Sequence, residues 1–246
     1  GQFYGYKVIG MFKEESDFYK KDADGNFQLD EAGNRIRIAI PKGQQISKNG
    51  IWVGDYIYED LHEDGVIDEK DRTFLGNPAP KFTFGFNNYF AYKGFDLNIF
   101  LNGSVGNKAV NLIRRTFTDP MRNSNLLKEA TDIALIGMHD PEVGDEELSN
   151  VYIVNADRAK VQRVTTSSAN DNNRISSRFI EDASYLRIKN ISLGYTFPRK
   201  WLRHLQIDNI RLYVNIQNLC TISGYKGYDP EIGSLNYNVL LRVVDD

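Results

Sequence analysis

"KFTFGFNNYFAYKGFDLNIFLNGS", residues 81–104, decides how this chain folds. Phe82, Phe84, Phe86, Phe90 and Tyr92 share one parity, with Thr83, Gly85 and Asn87 on the other. A period of two marks a strand with one apolar face. Lys93-Gly94 interrupts the alternation, after which Phe95, Leu97, Ile99 and Leu101 oppose Asp96, Asn98 and Asn102. The stretch reads as two half-apolar antiparallel strands joined by a two-residue turn. Its apolar face meets either a protein core or lipid, and periodicity alone is the same in both cases. Asn88 sits inside the apolar row, where lipid exposure requires a bulge or a protein contact to accommodate it.

The same pattern recurs downstream. In SYLRIKNISLGYTF (184–197) the apolar row runs through Leu186 and Ile188 and resumes at Ile191, Leu193 and Tyr195. That one-residue slip at Lys189-Asn190 predicts a β-bulge. From Ile210 to Cys220, Ile210, Leu212, Val214 and Ile216 oppose Arg211, Tyr213, Asn215 and Gln217. A shorter strand candidate is FYGYKVIGMF (3–12).

The connections are lopsided. Lys93-Gly94 and PRKWLRHLQIDN (198–209), the latter with one amphipathic helical turn, are short. The segments 11–80 and 105–183 and the tail from 221 are long. Following the chain direction puts every short connection at one end of the strands and every long one at the other. Phe90, Tyr92, Phe95, Phe197 and Trp201 cluster near the short end. Short turns on one rim, long loops on the other and an aromatic girdle are the pattern of outer-membrane barrels. Within the second long segment, SNLLKEATDIALIGM (124–138) predicts a short amphipathic helix, with Leu126, Leu127, Ala130, Ile133 and Ala134 on one side.

Composition narrows the classes. The 246 residues, 41% hydrophobic and 26% charged with net charge −3, suit one large β domain or two ordinary ones. The 30 Lys and Arg are interspersed with acids, which argues against a nucleic-acid partner. The single cysteine, Cys220, excludes an internal disulfide framework and a four-thiolate metal site, and reads as a small buried apolar side chain at a strand end. The opening GQFYGYKVIG does not read as a signal peptide, and no apolar run approaches the ~20 residues of a membrane helix. A mean hydropathy of −0.46 is compatible with a barrel, whose strands alternate.

One stretch carries metal chemistry. DLHEDGVIDEKD (60–71) has the form of a twelve-residue Ca²⁺ loop, with Asp60, Asp64, Asp68 and Asp71 as oxygen donors at positions 1, 5, 9 and 12. Gly65 falls at the sharp turn, Val66 offers its carbonyl, and Ile67 anchors the loop inward. His62 stands at position 3 where an oxygen is usual, and Asp71 is shorter than the usual Glu, both of which weaken the ligand set. The acidic DADGNFQLDEAGN (22–34) has its Gly at the wrong place for such a loop and reads as a hairpin turn. No nucleophile motif or facing carboxylate pair is present, GSVGNK (103–108) lacks phosphate-loop spacing, and His62, His139 and His204 are far apart. No enzyme is expected.

Three collinear stretches carry a resemblance: GDYIYEDLHEDGVIDEKDRTFLGNPAPKFTFGFNNYFAYKGFDLNIFLNGSVGN (54–107), SSRFIEDASYLRIKNISLGYTFP (176–198) and NIRLYVNIQNLCTISGYKGYDPEIG (209–233). In order and spacing they resemble the SusC/RagA family of TonB-dependent outer-membrane transporters. The resemblance turns the apolar face toward lipid. It implies an all-β fold of antiparallel transmembrane β-barrel strands, with short periplasmic turns and long extracellular loops. Residues 1–246 would then be part of one C-terminal barrel domain, lacking the plug, the TonB-coupling segment and the final strand. Such barrels use about 22 strands. The implied function is TonB-dependent import of oligosaccharides, or in some cases peptides, across a Gram-negative outer membrane, with a SusD-like surface lipoprotein contacting the long loops.

In that setting the alternation makes Asp96, Asn98, Asn102, Asn215 and Gln217 the lumen-facing candidates, and the Asp60–Asp71 loop an extracellular brace. From the residues alone, a secreted Ca²⁺-stabilised β module binding glycan or protein stays open.

Overall fold

A computed structural model describes residues 2–231 and 244–245. The chain divides into two compact units, one comprising Asn77–Val110 and Glu181–Asp245, the other Gln2–Gly76 and Asn111–Ile180.

The first unit is a four-stranded antiparallel sheet. Strands β1 (Phe82–Tyr92), β2 (Phe95–Val105), β3 (Tyr185–Thr196) and β4 (Arg211–Ser223) lie in the order β4-β3-β2-β1. The β1–β2 hairpin pairs one to one from Phe82↔Val105 to Tyr92↔Phe95. Lys93 and Gly94 both take positive φ, 46° and 90°, the backbone hand that matches the twist of the flanking strands. Asn88 keeps its place in the apolar row opposite Ile99, with no register shift in the hairpin. The predicted bulge is present, since the register shifts between Ile188 and Asn190 against both neighbours.

The link after β3 forms the expected helical turn, Arg199–Leu202, continued by a 3₁₀ turn over Arg203–Leu205. At one end of the sheet Tyr92, Phe95, Thr196 and Arg211 are joined by these short links. The long segments enter and leave at the other end, near Phe82, Val105, Tyr185 and Ser223. Aromatic rings gather at the short-link end: Phe95–Tyr195, Tyr195–Phe197 and Phe197–Trp201, with centroids 4.5, 5.0 and 6.4 Å apart.

The second unit is made from most of the two long segments. They form a packed body with its own core of Phe12, Phe18, Ile51, Val53, Val151 and neighbouring residues. Phe12 and Phe18 stack with centroids 4.0 Å apart. Short antiparallel pairs frame the core: Phe3–Tyr6 with Arg72–Gly76, Val8–Met11 with Tyr56–Tyr58, and Ile136–Met138 with Val151–Ile153. The opening strand candidate is thus two strands, each paired within this unit.

A buried polar network closes the core. Asp55 and Arg163, 1% and 4% exposed, pair through Nε–Oδ1 at 3.0 Å and Nη2–Oδ2 at 3.1 Å. Asn172 donates to Asp55 Oδ1, Trp52 N–H donates to Oδ2, and Arg163 also donates to the carbonyls of Lys48 and Gly50. A buried charge pair survives only when the remaining lone pairs and protons are satisfied in this way.

Two expectations are corrected. Residues 124–138 do not form a helix; a 3₁₀ turn at Lys128–Asp132 gives way to the strand Ile136–Met138. Asn155 takes Leu135 N–H and donates to Ile133 C=O, and Ala134 N–H donates to Val161 C=O. These long-range bonds replace the i→i−4 ladder, while Leu126 and Leu127 stay exposed. Cys220 is exposed in the strand interior opposite Ile188, because no described element covers that face.

The 22–34 segment is the expected turn, built twice over. Asp22 accepts from Asp24 and Asn26 N–H, and Asp30 repeats the geometry with Ala32 and Asn34. Isolated bridges Lys21↔Phe27 and Leu29↔Arg35 close the two turns.

Candidate functional site

Directly paired residues lie on the same side of a sheet, so register sorts the four strands into two faces. One carries the rows Phe90–Leu97–Leu193–Val214, Asn88–Ile99–Ile191–Ile216 and Phe86–Leu101–Ile188–Cys220. Phe86, Phe90, Leu193 and Val214 are 56%, 58%, 49% and 62% exposed, an apolar face that nothing among the described residues covers.

The opposite face is polar, and all five candidate wall residues lie on it. Asn98 and Asn215 share a row with Tyr89 and Ser192. Gln217 pairs with Asn190 beside the bulge, and Asn102 sits between Gly85 and Arg187. Asp96 lies beside Gly194 and receives Arg211 from the far strand, Nη2–Oδ2 at 2.6 Å and Nε–Oδ1 at 3.1 Å. The wall is therefore rich in carboxamides, and its Asp96 charge is matched. The side-chain carbonyl oxygens of Asn98, Asn102 and Asn190 are buried without a hydrogen-bond partner. At the bulge, Lys189, Asn190, Asn215, Gln217 and Asn218 line a recess of about 290 Å³.

Sequence reasoning put Arg211 on the polar parity but left it, with Arg187, Asn190 and Ser192, out of the candidates. Their parity was available, but Arg187 and Asn190 lie on either side of the bulge, where counting by twos fails. Arg187 is 6% exposed and binds Thr221 through Nε and Glu231 through Nη1 at 2.8 and 2.5 Å, with Asp229 also on the guanidinium. It thereby pins the segment after β4 back onto the sheet.

The acidic loop is closed by its own carboxylates. Asp60 Oδ2 accepts from Gly65 N–H at 2.9 Å, where Gly65 takes φ +80°, and Asp64 Oδ1 accepts from Val66 N–H at 3.1 Å. Asp68 and Asp71 form a capping box over Glu69–Asp71. Asp71, 1% exposed, also accepts from Leu61 N–H, with His62 Nδ1 3.8 Å away. Val66 lies in a short strand paired in parallel with Ile40. Among the described residues no three His, Cys, Asp or Glu side chains are gathered as a metal would need. One acceptor stays unused: Asp60 Oδ1 is buried with no partner.

Comparison with known proteins adds the following. No protein-family model matches the chain. It is 31% identical to "TonB-dependent receptor P3" of Formosa agariphila over 238 residues, 97% of this chain and 19% of that receptor. It is 25% identical to "TonB-dependent receptor SusC" of Bacteroides thetaiotaomicron over 229 residues, 90% of this chain and 20% of that one. Among solved structures, that of the RagAB peptide transporter matches with a TM-score of 0.59 at 20% identity, covering 94% of this chain and 20% of that chain. The chain thus spans about a fifth of the length of the curated relatives it matches. These relatives are receptors and not enzymes, in line with the sequence reading, and the fold agrees with their barrel strands.

Proposed function

We propose, the chain being a member of the SusC/RagA group of TonB-dependent outer-membrane transporters, that it forms part of the wall and outer loops of a nutrient importer. The observation that carries this is the two-faced sheet. Its apolar rows are exposed across all four strands, and its polar face is lined with amides. A soluble domain would have to cover the first face; a bilayer covers it without further protein. In this reading Asp96, Asn98, Asn102, Asn215 and Gln217 face a wet lumen. Energy arrives through TonB, and a SusD-like surface lipoprotein caps the mouth. The cargo is an oligosaccharide or a peptide, the two classes the family resemblance implies, and the likeness in fold to a peptide transporter supports the second.

Fractionating the membranes of the source organism tests the reading. The expected result is these peptides in a much longer outer-membrane polypeptide that co-purifies with a surface lipoprotein. Recovery in a soluble protein that needs no detergent would sink it.

The Asp60–Asp71 loop is the Ca²⁺ site of the same proposal, a brace and not a catalyst. The buried, unpartnered Asp60 Oδ1 supports it. Binding requires Asp64 and Asp68 to exchange their backbone amides for the ion, which fits weak affinity. Calcium titration of the purified protein, with Asp60→Ala as control, decides it: heat that vanishes in the variant supports the site, and no heat in either protein removes it.

A further inference from the structure

The rim of the sheet that carries the short links holds positive charge that the wall does not use. On that side the apolar face ends in the row Tyr92, Phe95, Tyr195 and Leu212, directly paired across the four strands. Phe197 continues the same parity, with its N–H donating to the Ile210 carbonyl, and its ring lies between those of Tyr195 and Trp201. Trp201 therefore extends the apolar face past the strand ends, and it is 56% exposed. The next residue, Leu202, is 4% exposed and anchors the helical turn to the sheet unit.

What surrounds Trp201 is basic. Arg199, Lys200, Arg203 and His204 are all exposed within the stretch RKWLRH (199–204). Arg203 N–H donates to the Arg199 carbonyl, closing one turn, so these two side chains are neighbours on the helical surface. Like charges so placed repel each other unless an anion lies between them. Asp208 is the only acid in 198–209, and among the described residues no carboxylate pairs with Arg199, Lys200 or Arg203. The neighbouring turn adds Lys93, also exposed, and Thr196 N–H donates to the Gly94 carbonyl, tying that turn to the start of the link. Other surface cations are answered: Lys7, Lys48, Arg72, Lys108 and Arg211 each meet a carboxylate within 3.0 Å. Free anions would neutralise the rim cluster but leave Trp201, Phe95 and Tyr92 in water. An anion carried on an apolar chain satisfies both, and the planar guanidinium fork suits a phosphate.

We propose that Lys93, Arg199, Lys200 and Arg203 form a site for the phosphate headgroups of anionic phospholipids, with Trp201 seated at the interface and the acyl chains lying along the apolar rows. The proposal rests on the import reading, which puts the short links at the periplasmic leaflet. There the site fixes the depth of this part of the wall in the bilayer, because aromatic rings prefer the headgroup level and cations are held by lipid phosphate.

The test uses the full-length transporter reconstituted in bilayers of phosphatidylcholine and phosphatidylglycerol with the same acyl chains, one of the two lipids brominated at a time. Bromine quenches a tryptophan that it touches, and the difference between the parent and Trp201→Phe isolates the Trp201 signal from every other tryptophan. Phosphatidylglycerol should be selected over phosphatidylcholine at Trp201 by about tenfold or more, since each cation near an anionic surface adds about fivefold. The triple variant Arg199→Gln, Lys200→Gln, Arg203→Gln should bring that ratio to about one. Its changes are all at exposed positions, and the heat-dependent gel mobility of a folded barrel checks that it still folds. Equal quenching by both lipids in the parent overturns the site, as does unchanged selection in the folded triple variant or a Trp201 that neither lipid quenches. Inorganic phosphate is the other source of the same chemistry. If it abolishes the selection at an ionic strength where chloride does not, the cluster binds the free anion and the headgroup site falls. The import reading fails separately. A parent that stays soluble without detergent and does not enter bilayers removes that reading; one that inserts, with other tryptophans quenched but no selection at Trp201, removes the headgroup site alone.

Discussion

The Asp96 carboxylate on β2 and the Arg211 guanidinium on β4 meet across the intervening strand, with Oδ2 and Nη2 2.6 Å apart. What lies beneath them is Gly194 of β3. A Cβ there would sit 2.6 Å from Arg211 Nη2 and 2.6 and 2.7 Å from the two Asp96 oxygens. The glycine is needed for the space above it, and its backbone is ordinary extended strand.

Gly194→Val should therefore unseat the pair without breaking the ladder. In a double-mutant cycle of Asp96→Asn and Arg211→Gln on detergent-folded protein, the coupling present in the parent should fall to zero in the Gly194→Val background. A coupling that survives would mean the pair does not need the gap.

Asp55 and Arg163 are buried and mutually satisfied, so removing one partner strands the other. Arg163→Met should destabilise the unit built from Gln2–Gly76 and Asn111–Ile180 by about 3–5 kcal/mol. Limited proteolysis or hydrogen exchange on the full protein would report it as lost protection around Phe12, Phe18 and Val53. A loss under about 1 kcal/mol would place the pair among solvated surface bridges instead.

Acid should loosen the turns before the core. The amides of Asn26 and Asn34 hold the Asp22 and Asp30 carboxyls below their ordinary value of 3.8. Ser184, through hydroxyl and amide, and then Lys108 hold Asp182 down to about 2. A lowered folded value means the stabilisation is complete above the ordinary carboxylate range and disappears as pH falls through the folded one. For Asp182 that window runs from 3.8 down to about 2. Protection factors of the Asn26, Asn34 and Ser184 amides, with intrinsic exchange divided out, should fall across it and stay flat from neutral pH down to about 5. A change near neutrality would point to a different group.

The two faces of the sheet should respond oppositely to charge. Val214→Arg, on the apolar face, should destabilise the folded barrel by about 2–4 kcal/mol if it lies near the bilayer midplane, while Asn215→Arg next to it should cost far less. Cys220 shares the apolar face and should react in intact membranes with a lipid-soluble maleimide and not with a charged one. Equal labelling by both would place that face in water.

Local pattern determined the strands, the turn and one bulge. Apart from Asn88 in the apolar row, the alternation holds on either side of the turn from Phe82 to Leu101, and the Lys93-Gly94 turn needs only two residues that accept positive φ. The odd slip between Ile188 and Ile191 swaps faces, so it leaves a mark in the sequence. The offset in β4 leaves none. Where β2 advances two residues from Ile99 to Leu101 and β3 three, β4 advances four from Ile216 to Cys220, with Asn218 at φ +51°. An even surplus preserves parity, and only the register against β3 exposes it.

The same limit explains the second unit. The Asp55–Arg163 pair and the Asn155 bonds that displace a helix join residues far apart in the chain. A period of two or of 3.6 records which way a side chain points along one element. It holds no information about which distant segment will satisfy a buried hydrogen bond, and only the tertiary structure decides that.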